Sequence, residues 1–293
     1  MNDQEWLAER FQEQRPHLRA VAYRMLGSLS EADDALQEAW LRLSRADTSG
    51  VENLRGWLTT VVARVSLNML RARKAKREEP LEAGIPDPIV SPPDGADPEH
   101  EALIADSIGL ALLVVLETLS PAERVAFVLH DMFAVSFDEI ASITGRSSAA
   151  ARQLASRARR RVHAHAPVPD ADLARQWSVV DAFTAASREG DFDALVAVLD
   201  PDILLREDDG TQRPRASLVI RGARAVAERA LSFARLGPYA RPALVNGAVG
   251  AVVVPDDRPF AVLAFTVTNG RIVEIDVLSD PVRLSAIDLA VLG

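Results

Sequence analysis

The sequence contains no cysteine, and this absence excludes several kinds of chemistry. Without thiols the chain forms no disulfides, has no nucleophilic cysteine and holds no cysteine-ligated zinc. Long hydrophobic runs are also missing: the longest apolar stretch, residues 108–116, is too short to span a bilayer. The N-terminal residues lack a basic region followed by an apolar run, as a secretion signal would have. We therefore expect a cytoplasmic protein that makes no membrane contact.

Histidine and positive charge are unevenly distributed along the chain. All five histidines precede residue 166, so the remainder lacks the commonest general acid or base. No Lys or Arg lies between Glu78 and Glu123. The net charge of −9 argues against a protein that coats DNA unaided. Basic clusters at 64–77 and 152–161 flank this acidic stretch, residues 78–123. They predict local DNA binding that is helped by a partner.

Residues 136–162 carry the pattern of a helix-turn-helix. Ser136 and Glu139 form a capping box, Gly145 suits a left-handed turn, and Ser147 can cap the second helix. The outer face of that helix is predicted to meet base edges in a major groove, and the arginines that follow to meet phosphates. By itself the pattern fits a solvated basic helix in an ordinary bundle about equally well. The predicted DNA-contacting residues are Arg146, Ser148, Ala149, Arg152, Gln153, Ser156, Arg157, Arg159 and Arg160.

Three amphipathic helices are predicted before the acidic stretch, at 5–28, from a cap at Ser30 to about residue 44, and at about 54–76. The second helix has a polar outer stripe formed by Asp34, Gln37 and Glu38. The third has an exposed polar and basic side that could lie over a phosphate backbone. Its predicted contact residues are Thr59, Arg64, Asn68, Arg71, Arg73 and Lys74.

Beyond about residue 170 the pattern alternates between helix and strand, which is typical of an α+β domain. Helices are predicted at 173–199, with a break at Gly190, and at 221–236. Residues 245–255 and 260–278 read as strands, and Asn269-Gly270 predicts a tight hairpin. A buried aspartate could act as a base here, but no paired acid and base stands out. The aspartates concerned are Asp202, Asp208, Asp209 and Asp276.

The helical motifs resemble those of extracytoplasmic-function (ECF) sigma factors of bacterial RNA polymerase. Residues 31–43 and 54–78 resemble their region 2, and residues 122–162 resemble their region 4. The resemblance implies that Asp34, Gln37 and Glu38 dock on core polymerase. It also implies that the 54–77 helix meets the melted downstream promoter element, and that the recognition helix reads the upstream element. Many family members have Asn and Asp at the positions of Val65 and Asn68, so their downstream sequence preference is not carried over.

The C-terminal pattern resembles the SnoaL-like, cone-shaped domain that is fused to sigma-J-like factors. The linker motif of that subgroup, Trp-Leu-Pro-Glu-Pro, is replaced here by Gly84-Ile85-Pro86-Asp87-Pro88. A second motif, Asp-Gly-Gly-Gly-Lys, is replaced by the residues at 208–213. The resemblance implies regulatory contacts between domains at Pro86, Asp87, Pro88, Asp209, Gly210 and Arg213.

The predicted fold is two all-α domains followed by an α+β SnoaL-like domain. The boundaries are 1–77 for region 2, 78–97 for an acidic Pro-rich linker, 98–166 for region 4 and 170–293 for the C-terminal domain. The linker is either a plain tether or an acidic segment that occupies the polymerase cleft, and helix is not expected in it.

The predicted function is promoter-specific transcription initiation, with core RNA polymerase and promoter DNA as partners and the C-terminal domain regulating in cis. Two alternatives remain from the sequence. One is a DNA-binding regulator whose C-terminal domain is a small-molecule sensor or a cyclase- or isomerase-like enzyme, and the other is a protein that only dimerises. No catalytic residue, metal or cofactor is predicted, and a small apolar ligand is a candidate partner of the C-terminal domain.

Overall fold

The computed structural model describes residues 3–46, 53–75, 84–94, 109–210 and 218–292, which fall into two units. The helical unit contains the described residues of 1–80 and 116–164. The C-terminal unit contains those of 81–100, 107–115 and 165–293. Among the described residues, no helix combines the length and the apolar character needed to cross a membrane.

The helical unit begins with three helices, α1 (Asp3–Leu26), α2 (Leu29–Leu43) and α3 (Leu54–Ala75). Gly27 follows α1 with a φ of 71°, and its N–H donates to the carbonyl of Tyr23, as is typical of a helix C-terminus. The predicted cap of α2 at Ser30 is wrong. Ser28 is the N-cap, and its hydroxyl accepts from the backbone N–H of Glu31.

Helix α3 buries most of the predicted apolar face, and one expectation about its polar side is wrong. Thr59 was predicted to face outward, yet it is only 6% exposed. Its hydroxyl donates to the carbonyl of Arg55, one turn earlier, at 2.8 Å. Arg64, Asn68, Arg71 and Lys74 are exposed, as predicted.

The helix-turn-helix lies at the end of this unit. The sequence also predicts a helix that begins at a cap at Asp97, with Pro98 in its first turn, and runs to about residue 119. Its described part is α4 (Leu110–Glu117), of which residues 110–115 belong to the C-terminal unit, and its predicted start lies outside the described residues. The order then runs through α5 (Pro121–Phe127), a π-helical turn (Val128–Met132), α6 (Phe137–Thr144) and α7 (Ser148–His165).

The C-terminal unit contains helices α8 (Leu173–Glu189), α9 (Phe192–Val198) and α10 (Ala223–Ser232). A short helix, α11 (Pro281–Leu284), comes after the last strand. Gly190, with a φ of 73°, separates α8 from α9 at the predicted break.

Seven described strands form one sheet in the order β1-β4-β5-β6-β7-β2-β3. Neighbouring strands are antiparallel except β2 and β7, which are parallel. The helices pack on one face of the sheet over a core that includes Val180, Phe183, Leu195 and Phe265. The strands are β1 (Val90–Ser91), β2 (Leu199–Asp208), β3 (Leu218–Arg221), β4 (Ala240–Val245), β5 (Ala248–Val253), β6 (Ala261–Thr268) and β7 (Arg271–Leu278).

This architecture confirms the predicted fold class, two helical regions followed by an α+β domain. The hairpin at Asn269-Gly270 is also confirmed, since Thr268 pairs with Arg271 across it. The strand predicted at 245–255 is confirmed over Ala248–Val253, but its predicted start is wrong, because Asn246-Gly247 forms a turn and Val245 pairs with Ala248. Strands β1, β2 and β3 were not predicted, and neither was β4 apart from Val245.

Candidate nucleic-acid interface

The turn of the helix-turn-helix is fixed by local hydrogen bonds. The Ser136 hydroxyl accepts from the N–H of Glu139, and the Glu139 carboxylate accepts from the N–H of Ser136, which confirms the capping box. Gly145 has a φ of 68° and caps α6. The N–H of Ala150 donates to the Ser147 hydroxyl at 3.2 Å, so Ser147 holds the start of α7. These contacts aim the N-terminal turn of α7 outward.

The two faces of α7 differ sharply in exposure. Ala151, Leu154, Ala155, Ala158 and Val162 are buried, and their helical spacing places them on one face. Ser148 is half-buried, and its hydroxyl oxygen has no hydrogen-bond partner in the described structure. The other predicted contact residues are exposed: Arg146, Ala149, Arg152, Gln153, Ser156, Arg157, Arg159 and Arg160.

Arg152 is oriented by an aromatic stack. Its guanidinium lies 5.3 Å from the centroid of the Phe137 ring, and that ring stacks on His130 at 3.9 Å. A cation over an aromatic face is attracted by the ring quadrupole and loses some side-chain freedom. Arg152 is therefore partly preorganised while its polar groups remain accessible.

The basic side of α3 contacts the helix-turn-helix within the same unit. Arg64 Nη2 donates to the Ser142 hydroxyl at 2.9 Å, and Arg71 Nη2 donates to the Thr144 carbonyl at 3.4 Å. Both acceptors belong to α6. Two of the cations predicted to meet downstream promoter DNA are thus occupied by contacts within the protein.

Arg73 has a more structural setting than its neighbours. It forms an ion pair with Glu31, donates to the Leu26 carbonyl at 3.1 Å and reaches Glu117 at 3.5 Å. Glu117 also accepts from Arg124, a buried residue that the sequence did not single out. Helical periodicity predicts which apolar residues are buried, but it does not predict a buried arginine among them. This ion-pair network is therefore visible only in the structure.

His17 lies in a pocket among cations. Burial, then the charges of Arg55 and Arg24, lower the pKa of His17 from 6.5 to about 4. Its Nε2 is 3.2 Å from the Thr59 hydroxyl, and its ring meets Phe133 edge-on at 5.4 Å. The ring is therefore neutral near pH 7.

The polar stripe of α2 borders a surface cavity of about 340 Å³ between α1 and α2. Asp34 and Gln37 line it together with the rings of Phe11 and Trp40. Glu38, the third residue of the stripe, does not line the cavity and pairs with Arg42 at 3.0 Å. Two of the three predicted polymerase-docking residues thus line a concave surface with an aromatic base.

The interdomain linker is held on the C-terminal unit by one arginine. Arg283 is 9% exposed, and its three guanidinium nitrogens donate to three acceptors. Nε donates to Asp87 at 2.7 Å, Nη2 to the Ile85 carbonyl at 2.7 Å and Nη1 to Asp208 at 3.0 Å. Pro86 and Pro88 are buried beside these contacts. Arg283 therefore joins the two segments whose sequence motifs were singled out.

The linker also adds strand β1 to the sheet. Val90 pairs with Val245 and Ser91 with Leu244. Asn246 exchanges hydrogen bonds with Ile89, donating its N–H at 2.8 Å and accepting at its side-chain oxygen at 3.1 Å. Asn246, with a φ of 51°, is thus both a hairpin residue and a linker contact.

The second regulatory motif lies next to Arg283. A Cβ at Gly210 would stand 2.6 Å from the Asp280 carboxyl carbon, and Asp280 caps the helix that carries Arg283. Asp209 precedes this glycine and is exposed. Arg213, the third residue predicted here, lies outside the described residues.

A buried ionic cluster occupies the sheet face that carries Asp208. Arg206 forms ion pairs with Glu274 and, at 2.9 Å, with Asp276. Burial raises the pKa of Asp276, and the charge of Arg206 opposes that rise. Among the described residues, no group of three or more His, Asp or Glu side chains is placed to hold a metal ion.

Comparison with known proteins matches both helical regions. The Sigma-70 region 2 model matches residues 11–76, and the Sigma-70, region 4 model matches residues 109–162.

Full-length relatives extend this likeness across both units. The chain is 40% identical over 285 residues to the ECF RNA polymerase sigma factor SigJ of Mycobacterium tuberculosis, covering 92% of this chain and 91% of that protein. It is 35% identical over 274 residues to the probable ECF RNA polymerase sigma factor SigI of the same species, covering 92% of each. The crystal structure of SigJ matches with a TM-score of 0.78 and 37% identity, covering 96% of this chain and 99% of that one.

Proposed function

Because the chain belongs to the ECF sigma factors of RNA polymerase, we propose that its helical unit docks on core polymerase and reads a two-part promoter. The observation that carries the proposal is the outer face of α7, where Arg152 and Gln153 are exposed near the helix N-terminus. Side chains at that end of a recognition helix meet base edges, and the arginines that follow meet phosphates. This activity belongs in the cytoplasm, where the polymerase works.

The docking surface on the polymerase side is the stripe of Asp34, Gln37 and Glu38. Its support is the concave surface beside Phe11 and Trp40, because an aromatic base with a polar rim suits a protein interface. Reversing one charge tests it. Asp34→Arg should abolish core binding, whereas Asp193→Arg, at an exposed aspartate of α9, should not.

The downstream element is assigned to the exposed basic side of α3, with Asn68 and Lys74 beside Arg64 and Arg71. Since Arg64 and Arg71 already donate to α6, DNA phosphates must replace those contacts. Promoter binding is therefore coupled to rearrangement within the helical unit.

The C-terminal unit regulates in cis by holding the linker. Its support is the triple contact of Arg283 with Ile85, Asp87 and Asp208, together with the pairing of β1 to β4. A linker held in this way cannot at the same time follow another path between the two DNA-binding regions. The unit performs no chemistry in this proposal, because Asp276 is paired with Arg206 on the face opposite the packed helices.

Run-off transcription by purified core polymerase on a library of upstream sequences tests the sigma activity. Discrete transcripts that depend on the chain are expected. If the chain neither bound core nor yielded a transcript from any sequence, the proposal would be wrong.

Arg283→Gln in the full chain tests the regulation, with the exposed Arg258→Gln as the matched control. Hydrogen exchange of residues 84–91 should accelerate only in Arg283→Gln, with altered core affinity or transcript yield. Faster exchange without either functional change would rule out regulation through this contact.

A further inference from the structure

A cavity of about 260 Å³ opens between the helices and the sheet of the C-terminal unit. The pairing register of the strands decides which side chains face it. Leu205, Ile275 and Phe265 stand opposite one another on β2, β7 and β6, and all three line the cavity. Helices α8 and α10 cover these strands with Phe183 and Ala230. The walls are therefore largely aliphatic and aromatic.

One polar feature interrupts the apolar lining. Glu207, on β2, faces the cavity and accepts from Arg229 of α10 at 2.5 Å and 3.2 Å. The Arg229 guanidinium also lies 4.5 Å from the centroid of the Phe233 ring. Because the two charges neutralise each other, the cavity offers hydrogen-bonding groups without a net charge.

The cavity is too large to be a packing defect. Protein interiors contain few voids larger than a water molecule, since each void forfeits dispersion contacts and hydrophobic burial. Phe260, 44% exposed, lines it and marks its rim, so a solute can enter from solvent. Because a cavity of this size costs stability when it is empty, we infer that a bound molecule supplies the missing contacts.

The cavity is also poorly equipped for acid–base chemistry. Glu207 is held by Arg229, and the register places Arg206 and Asp276 on the opposite face of the sheet. Neither carboxylate is therefore available as a base beside an occupant. Binding, rather than turnover, suits these surroundings.

We propose that this cavity is a binding site for an uncharged, mainly apolar ring compound that hydrogen-bonds to the Glu207–Arg229 pair. An apolar cavity of roughly 150 Å³ accepts benzene, so this one suits about two fused rings. A charged ligand is disfavoured, because it would have to break the ion pair and leave a buried charge without its partner. The inference goes beyond the proposed sigma activity, since it concerns ligand recognition by the C-terminal unit alone.

Isothermal titration calorimetry of the full chain with 2-naphthol tests the proposal. We expect saturable binding with one site per chain. The anion 2-naphthoate and the cation 2-naphthylmethylammonium, which share the ring system, should bind at least about tenfold more weakly.

A pair of substitutions on one helix locates the site. Ala230 lines the cavity, whereas Ala225 is exposed on the same helix, so phenylalanine at either position changes helix propensity equally. Ala230→Phe should abolish 2-naphthol binding, and Ala225→Phe should leave it unchanged. Circular dichroism melting confirms that both variants fold.

Three outcomes would overturn the inference: no binding of 2-naphthol, tighter binding of the anion, or equal binding by folded Ala230→Phe. Run-off transcription without any naphthol separates these failures from failure of the sigma activity, which depends on the helical unit. A chain that drives transcription but ignores 2-naphthol would refute the ligand site alone.

Discussion

Arginine is used in opposite ways on α7 and around the sheet of the C-terminal unit. On α7 it is exposed at positions such as Arg157 and Arg160, on a helix that contains no acidic residue. In the C-terminal unit Arg206, Arg229 and Arg283 are largely buried, and each is paired with a carboxylate. The placement of nearby acids decides the difference. Where acids are absent the charge remains for an external partner, and where they are present it joins segments of the fold.

The largest expected effect on stability comes from removing a paired arginine. Arg206→Ala leaves Glu274 and Asp276 buried without their cation, so we expect a loss of about 3–5 kcal/mol in the stability of the C-terminal unit. Arg160→Ala, at an exposed arginine, should change stability by at most about 0.5 kcal/mol. Hydrogen exchange of the β7 amides measures the first effect, and exchange of the α7 amides measures the second.

The pH dependence of the stability lost in Arg206→Ala tests whether the unpaired carboxylates cause that loss. Burial raises the pKa of Asp276 in the folded chain, so the folded state binds the proton more readily than the unfolded state. Protonation therefore adds stability as the pH falls. The loss should be smaller at pH 5 than at pH 7, and a pH-independent loss would argue against an unpaired carboxylate as its source.

A smaller effect tests whether the unpaired arginines serve DNA. Arg152→Ala or Gln153→Ala should cost about 1–3 kcal/mol of binding to the preferred upstream element and relax discrimination at one or two base pairs. Arg157→Ala should instead weaken binding to all sequences alike and reduce the salt dependence, as for a phosphate contact. Competition binding on a randomised element distinguishes the two patterns, and uniform weakening by Gln153→Ala would contradict base recognition.

His17 offers a pH test within the helical unit. Its pKa is lowered to about 4 in the folded chain from 6.5, so the unfolded state binds the proton first as the pH falls. The stability that depends on neutral His17 is complete above about pH 6.5 and is lost as the pH falls toward 4.

Because His17 is partly exposed, we expect a loss on the order of 1 kcal/mol over that range, measured by urea unfolding. His17→Gln should flatten this dependence, whereas His163→Gln, at an exposed histidine, should not. An unchanged slope in His17→Gln would assign the dependence to other groups.

The smallest effect concerns the ion pair between Arg159 of α7 and Asp131 of the π-helical turn. Arg159 donates to Asp131 at 2.6 Å, and its side chain is well exposed. Asp131→Asn should cost only about 0.2–1 kcal/mol of stability, as exposed ion pairs do. It should also release Arg159 and tighten nonspecific DNA binding at low salt, which fluorescence anisotropy measures. Weaker DNA binding would show that Asp131 instead positions Arg159 for its contact.

Local signals explain why much of the helical unit was predictable. The Ser136–Glu139 capping box and the turn at Gly145 depend on residues within a few positions of one another. Both can therefore be predicted from the sequence. The buried face of α7 follows from spacing alone. Ser30 was mistaken for the cap of α2 because Ser28, two residues earlier, offers the same hydroxyl, and spacing does not choose between them.

Nonlocal contacts explain what the sequence hid. Strand β2 pairs with β7 in parallel, about seventy residues away, and its Pro201 weakens the strand pattern. Arg283 meets Asp87 across almost two hundred positions, and no periodicity links them. The resemblance pointed to the linker motif and to the segment at 208–213, but the arginine that joins the first to Asp208 lies in neither. The roles assigned to individual DNA-contacting residues remain predictions.

The pairing of β1 with β4 also affects whether the chain associates with other copies of itself. A sheet edge presents unpaired N–H and C=O groups, and an uncovered edge invites pairing with another molecule. Two linker residues and the Asn246 side chain cover this edge. Release of the linker therefore leaves the edge of β4 unpaired. Chains in that state become prone to self-association through this edge unless another strand pairs with it.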